Sequence, residues 1–500
     1  MDLLNSFQHG LLVATQLQNL FFCFLGVLGG TFIGVLPGIG PLGAIALLLP
    51  STFFMSPVAA MIMLAGIYYG AMYGGSTTSI LLNIPGEAAS VVTCIDGYQM
   101  GKKGRAGPAL GICAFGSFIA GTIGVILLLS VAPPLARFAL RFGPPEYFSL
   151  MLLGLTVLVY LANGPIIKAL MMAALGLILG VIGTDLITGR PRFTFGLIEL
   201  EDGLNIIPVV MGLFGVSEVL INIEIVIKRH VSKTKIKGLL PSLQDWKDSI
   251  KPIFRGSFLG FFLGTLPGGG ALIASFASYA MEKKLSKHPE KFGTGAIEGV
   301  AGPESANNSA SQGAFIPLLT LGIPNNAVMA LMLGALIIHG VQPGPLLMKE
   351  EPDIFWGVIA SMYIGNIMLL VLNLPLIGMW VQVLKIPYRI LFPLILLFCF
   401  IGVYSVKNSI LDLWFMIGFG VLGYLMKKFE YEMAPLVLAL ILGPMFENAL
   451  RQSMILFDGN PIVFLTRPIS AFFILFSAAL LLSTLVPWIK ERKHLLTEEV

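Results

Sequence analysis

Apolar residues in this chain come in long blocks, not in the alternation of a half-buried strand. "SFIAGTIGVILLLSVA" (117–132) and "ISAFFILFSAALLLSTLVPW" (469–488) are typical. Blocks near 20 residues match the roughly 30 Å hydrocarbon core of a bilayer at about 1.5 Å per helical residue. Along the first half they predict crossings near 57–95, 107–132, 147–163, 165–187 and 204–228. The second half adds 309–339, 354–384, 390–406, 410–426, 433–450 and 469–488. The fold class expected is an all-α polytopic membrane protein with about 11–12 transmembrane segments.

Pro/Gly breaks interrupt the apolar pattern, and they repeat. Residues 30–44, "GTFIGVLPGIGPLGA", align without gaps on 260–274, "GFFLGTLPGGGALIA". In the same order, "SILLNIPGEA" (79–88) aligns on "LLTLGIPNNA" (318–327). Two matches in one order indicate a duplication, an architecture shared by many secondary transporters. Pro267-Gly268-Gly269-Gly270 divides the run 256–281 into two arms. Each would be roughly 17 Å long, too short to cross. Each half is therefore expected to hold a re-entrant Pro-Gly hairpin and a broken helix. The organisation expected is a first membrane repeat (1–227), a linker (228–255) and a second membrane repeat (256–500).

Charge sets the orientation. The stretch 228–255 is strongly basic, with Asp245 and Asp248 as its acids, so the positive-inside rule places it in the cytoplasm. The stretch after the second hairpin, "EKKLSKHPEK" (282–291), is basic too, so both hairpin ends face one side. Equivalent loops of the two halves carry opposite charge: "DGYQMGKKGR" (96–105) is net positive and "KEEPD" (349–353) net negative. That is the signature of inverted repeats. The N-terminus is then outside and "KERK" (490–493) inside, although Arg137, Arg141, Arg190 and Arg192 fall in expected outside loops.

Composition agrees. The chain is 56% hydrophobic and 12% charged, with mean hydropathy +0.88. A soluble domain carries about 25% charged residues. A net charge of +4 gives no reason to expect a nucleic-acid partner; lipid is the expected surround. Cys23, Cys94, Cys113 and Cys399 are scattered, without disulfide or metal spacing. The first 20 residues lack a basic n-region, so no cleaved signal peptide is expected.

Enzyme chemistry finds little support. Gly38-x-Gly40-x-x-Gly43 has dinucleotide-loop spacing, but its flanks are membrane-like and the next acid is Glu87. No HExxH, GxGD or Walker sequence occurs, and His339 has no second ligand nearby in sequence. We expect no catalytic residues, no metal site and no cofactor beyond a coupling cation, Na+ or H+.

Irregular backbone at membrane depth is tolerated only where it lines a cavity or is buried in protein. Helix N-termini that begin after a break offer free N–H groups to carboxylates, and helix C-termini offer carbonyls to a cation. Pro37, Gly38, Gly40, Pro85, Gly86, Pro267, Gly268, Gly269, Gly270, Pro324 and Asn325 are therefore candidate substrate contacts. Polar side chains cluster beside them. Ser76, Thr77, Thr78, Asn307 and Asn308 join the substrate candidates, and Asn83, Glu304, Ser309 and Asn326 are candidates for the coupling ion. Kinked packing and helix–helix hydrogen bonding are the plain structural alternatives for each. Glu304 reads equally as an ion site or as a helix N-terminal acid at the interface.

"LPGIGP", "YYGAMYGGSTTSILLNIPGE", "LPGGGALIASFASYAMEKK", "EGVAGPESANNSASQGAFIPLLTLGIP" and "GVQPGPLL" together resemble the large membrane subunit of tripartite tricarboxylate transporters. The resemblance covers nearly the whole chain. It implies a multi-pass permease of the bacterial inner membrane that works with a small four-helix membrane subunit and a periplasmic solute-binding protein. It further implies import of carboxylate substrates by sodium or proton symport; a stand-alone carboxylate carrier or channel is the alternative. A homodimer is compatible with the sequence. One departure is Asn325-Asn326 after Ile323-Pro324, where the family more often has glycine, a difference that bears on which anion fits. In this reading one carboxylate is held by "PGIG" and "STT" and another by "PGGG" and "NN". Replacing Gly269 with a bulky residue is then expected to abolish uptake while leaving the protein folded in the membrane. Uptake assayed alongside membrane-extracted yield checks both halves of that expectation.

Overall fold

The computed structural model describes residues 3–36, 40–161, 165–185, 187–224, 238–266, 268, 270–384 and 388–483. Pro37, Gly38, Pro267 and Gly269 lie outside the described residues, as does most of the basic stretch before 238. The first half contains α1 (Leu3–Ala14), α2 (Leu17–Val35), α3 (Gly40–Thr52), α4 (Pro57–Leu82), α5 (Val91–Lys102), α6 (Ala106–Ala139), α7 (Pro144–Leu161) and α8 (Ile166–Gly180). A short antiparallel pair follows, β1 (Gly183–Thr184) on β2 (Pro191–Arg192), with Gly183 opposite Arg192. α9 (Ile206–Val210) and α10 (Ser217–Glu224) are joined by a π-helical stretch, Met211–Val216. The second half opens with α11 (Leu243–Gly264), α12 (Gly270–Leu285), α13 (Glu298–Gly313), α14 (Phe315–Leu321), α15 (Ala327–Ile338) and α16 (Leu347–Glu350). It closes with α17 (Pro352–Asn373), α18 (Ile377–Val383), α19 (Tyr388–Lys407), α20 (Ile410–Lys428), α21 (Ala434–Leu456), α22 (Val463–Thr466) and α23 (Pro468–Ser483).

The chain is an all-α polytopic membrane protein. Among the described residues, eight helical stretches are long and apolar enough to cross a membrane, and four further apolar helices are shorter. Each of the eleven stretches expected to cross is occupied by helix. Many boundaries shift by several residues, as α6 running to Ala139 and α8 ending at Gly180 do, and three larger differences have a physical reason. α11 begins at Leu243, inside the stretch read as linker. A capping box starts it: Ser242 Oγ accepts from Asp245 N–H and the Asp245 carboxylate accepts from Ser242 N–H. Lys247, Asp248 and Lys251 are not buried, while Trp246 packs tilted against Phe115, ring centroids 5.4 Å apart, so charge density hid an amphipathic helix. α13 begins at Glu298, well before 309, although its sequence is polar. Every residue from Gly299 to Gly313 is buried in protein, where polarity is tolerated and hydropathy is no guide. Finally, α17 ends at Asn373, and the Trp380 indole N–H of α18 returns to the Leu372 carbonyl at 2.9 Å.

The duplication is visible in the packing. The two alignments shift 30 to 260 and 79 to 318, offsets of 230 and 239. Gly26, Gly30 and Gly34 of α2 lie so close to Met63, Ile67 and Ala71 of α4 that an added Cβ would fall 2.3–2.4 Å from their carbonyl oxygens. Gly256, Gly260 and Gly264 of α11 stand in the same relation to Gly302, Ala306 and Ala310 of α13, at 2.1–2.4 Å. The reverse contact matches too: Gly74 abuts the Thr31 carbonyl and Gly313 the Phe261 carbonyl, both at 2.4 Å. All of these pairs obey the two offsets. In lipid, helices gain little from apolar burial against each other, so close backbone approach over small residues is the main adhesive.

The returning arms are exchanged between halves. α3 packs on α15, and α12 packs on the turn Ala88–Ser90 that precedes α5. The two hairpins open towards opposite ends of the molecule. α4 leaves from the open end of the first hairpin, and its continuation α5 finishes where Lys103 Nζ meets the Thr294 carbonyl at 2.5 Å, beside the open end of the second. This is the inverted arrangement that the loop charges predicted.

Gly260→Ala is expected to lower the thermal midpoint of the purified protein, because the Ala306 backbone cannot give way and overpacking costs about 1–3 kcal/mol. Gly418→Ala is the control: a Cβ there meets nothing within 4 Å, and alanine is favoured by about 1 kcal/mol in a helix. Equal midpoints for the two variants would contradict the packing argument.

Candidate functional site at the crossing of the breaks

Both broken helices are built alike. α4 ends on Asn83 (φ 57°) and α14 on Gly322 (φ 70°), equivalent positions in the left-handed region that closes a helix. The chain restarts at equivalent caps. The Glu87 carboxylate accepts from Ala89 N–H at 2.6 Å, and the Asn326 side chain accepts from Met329 N–H at 2.9 Å. Each hairpin is fastened to its break. Thr78 Oγ1 donates to the carbonyl of Val35, the last residue of α2, at 2.8 Å. In the second half Gly268 N–H donates to the Asn325 carbonyl at 2.7 Å, and the Asn325 amide donates to the Gly264 carbonyl. Gly86, the counterpart of Asn325, packs directly on Gly34, the counterpart of Gly264, with 2.0 Å between a Cβ position and its carbonyl oxygen.

Where α4 and α5 meet α13, beside the first break, lies Glu304, 0% exposed. Ser76 Oγ of α4 donates to Oε2 at 2.6 Å, Thr93 Oγ1 of α5 donates to Oε1, and Asn307 Nδ2 lies 3.4 Å from Oε2. Asn308 extends the network, donating to Ser117 Oγ of α6 at 2.8 Å and to Asn307 Oδ1 at 2.6 Å. A cavity of about 10 Å³, roughly one water in size, adjoins it and is lined by Ser76, Thr77, Ser117 and Asn373. Several buried acceptors nearby, Ser305 Oγ, Asn308 Oδ1, Ser309 Oγ and Gln312 Oε1, have no hydrogen-bond partner among the described residues. Nor does any Lys, Arg or His among them bridge Glu304. A buried carboxylate with neutral donors and no counter-charge is costly, which makes Glu304 the first candidate for a functional group in this region.

A much larger cavity, about 1050 Å³, opens beside the start of α9 and the end of α15. One wall is Phe53 and the end of α15; the other is α8 and α21. Pro343 lines it and also abuts Gly322, so the cavity reaches the edge of the second break. Its rim holds Arg192, one of the four arginines that fall in expected outside loops. Arg192 pairs with Asp185 and with Glu447 (2.9 Å), and Arg451 pairs with Asp185 at 2.9 Å. The Arg192 guanidinium holds the Asp185 carboxyl well below the usual carboxylate range, opposed by burial and helped by Thr188 N–H, Arg451 and Ile187 N–H. A carboxyl depressed on folding stabilises at neutral pH and loses that contribution only as pH falls through its lowered value.

The geometry is that of a duplicated, inverted pair of broken helices around a buried carboxylate, and comparison with known sequences supplies the family. Residues 20–438 match the Tripartite tricarboxylate transporter TctA family. The chain belongs to that family. Two relatives come from Agrobacterium vitis. "Uncharacterized 52.8 kDa protein in TAR-I ttuC' 3'region" is 52% identical over 493 residues, covering 99% of this chain and 98% of the relative. "Uncharacterized protein in TAR-II ttuC' 3'region" is 53% identical over 234 residues, 47% of this chain and 97% of the relative. No solved structure matches.

In this TctA-family chain the expected residues are redistributed. The expected grouping put Ser76–Thr78 and Asn307–Asn308 on two different substrate carboxylates. In the structure Ser76 and Asn307 share one protein carboxylate, Glu304, because α4 and α13 cross there. Thr78 serves the end of α2, and Thr77 lines the small cavity. Pro85, Gly86, Pro324 and Asn325 lie in the two breaks, and Gly268 and Gly270 close the second hairpin. Gly40 (φ 62°) opens α3 with free space around its Cα. Asn83 is exposed and away from Glu304, whereas Ser309 is buried against Gly124. Thr93 and Ser117 were not foreseen; neither sits in a motif, and only the helix crossings bring them in.

Ser76→Ala is expected to destabilise the protein by about 1–3 kcal/mol, the cost of leaving a buried acceptor short of a donor. Combined with Glu304→Gln, the loss is expected to be less than additive, as in any coupled pair. A double-mutant cycle on the thermal midpoint measures this, and strict additivity would separate the two residues.

Proposed function

We propose that this TctA-family chain is the permease subunit of a binding-protein-dependent secondary transporter. It imports tri- or dicarboxylates across the bacterial inner membrane by symport with Na+ or H+. The observation that carries the reading is the uncompensated carboxylate of Glu304, held between two inverted, broken helices. Inverted repeats with discontinuous helices meeting near the midplane are a transporter's solution to binding a charged solute within lipid. The large cavity supports alternating access, since it reaches the second break from one end while the cavity beside Glu304 holds about one water. Helix N-termini at the breaks suit carboxylates, and the oxygen-rich face of α13 suits a small cation. The family supports a tripartite assembly, here a small four-helix membrane subunit and a periplasmic solute-binding protein.

The test is uptake of labelled citrate and a panel of dicarboxylates into vesicles carrying this chain, its small subunit and the binding protein. Uptake driven by a sodium or proton gradient is expected, falling to the level of empty vesicles when the binding protein is omitted. Uptake indifferent to that omission would make the chain an autonomous carrier. If no carboxylate enters under either gradient, the substrate class is wrong.

A further inference from the structure

The two breaks share a backbone design but not a charge. The offset of 239 sets Pro85-Gly86-Glu87 against Pro324-Asn325-Asn326, and Glu304 against Ala65. Both acids therefore belong to the first break, and the second has neutral residues at both counterpart positions. We infer that Glu87 and Glu304 together form a single site for one monovalent cation, carried as a proton or a sodium ion, and that the second break has no counterpart. The inference rests on the transport reading above and adds Glu87 to it.

Four observations carry it. Glu87 and Glu304 flank adjacent residues of α4: a Cβ on Gly75 would lie 3.0 Å from Glu87 Cγ, and Ser76 donates to Glu304 at 2.6 Å. Both side chains are more than nine-tenths buried. Glu87 spends Oε2 on Ala89 N–H, but Oε1 is buried without a partner among the described residues. The titratable groups facing the pair are Tyr68 on α4, Cys94 on α5 and Cys113 on α6, and none of these is a cation. Two neighbouring carboxylates out of water cannot both stay charged without compensation. One positive charge removes the repulsion and satisfies the orphan oxygen. Glu87 also caps the turn leading to α5, which carries Thr93, so cation occupancy is linked to the geometry of the first break.

The test uses the purified full-length chain, so it does not depend on transport. Thermal midpoints are compared in sodium and in choline chloride at one ionic strength, and across a pH series without sodium. A cation that binds the native state raises the midpoint by mass action. For sodium, the expected result is a rise in sodium over choline. For a proton, it is a midpoint that falls as pH rises. Glu87→Gln keeps the capping oxygen and is expected to abolish whichever response the wild type shows, as is Glu304→Gln. A Glu87→Gln protein with the wild-type response would overturn the proposal. So would a wild type indifferent to both cations, or loss of the response in Asn326→Ser but not in Glu87→Gln. A wild-type response without carboxylate uptake would leave this site standing and remove the transport reading.

Discussion

Backbone that leaves the helix inside a membrane must find its partners within the protein, and this one constraint shapes the molecule. The first break ends α4, which is long and apolar enough to cross a membrane, and the second leads into the apolar helix α15; lipid offers nothing there to freed carbonyls and N–H groups. They are satisfied because the arms approach within backbone contact. Thr78 reaches the end of α2, and Asn325 reaches the end of α11, only because glycines let α2 lie on α4 and α11 on α13. Without that approach the breaks would be unsatisfied and the fold would lose its centre. The exchanged packing of α3 and α12 then closes each break with an arm from the opposite half.

Shelter of this kind also permits a polar helix at the core. α13 carries Glu304, Asn307, Asn308, Ser309 and Gln312 and would not survive against lipid. Enclosed by α4, α6, α11 and α12, it keeps a network of hydroxyls and amides around one carboxylate. Several of its acceptors have no partner among the described residues. Native proteins rarely leave buried polar atoms unpaired without a role, and a site awaiting a charged solute is one such role. The glycines of α6 serve the same end, since Gly116 and Gly124 leave room for Ser305, Ser309 and Gln312.

Duplication supplied two equal frames, and divergence made them unequal. The left-handed caps, the N-caps and the glycine contacts persist in both halves, whereas the two acids, one from each half, gather at the first break alone. The two breaks therefore offer different electrostatic environments, one acidic and one neutral. Ion pairing at the mouth of the large cavity serves a different purpose. There Arg192, Arg451, Asp185 and Glu447 tie the β1–β2 turn to α21, well removed from the buried carboxylate.

The sequence by itself determined what depends on local pattern and on repetition. Apolar blocks placed the crossings, the matched Pro-Gly motifs revealed the duplication, and loop charge predicted its inversion. It named Ser76, Asn307 and Glu304 as polar residues beside the breaks. It could not start α13 at Glu298 or α11 at Leu243, because hydropathy reports contact with lipid and both segments are sheltered or amphipathic. Nor could it group the side chains. That Ser76 and Thr93 converge on Glu304, and that Glu87 stands beside them, follows from the crossing of α4, α5 and α13. Those crossings depend on backbone separation, which glycine sets through what it lacks, and no one-dimensional pattern records which surfaces then meet.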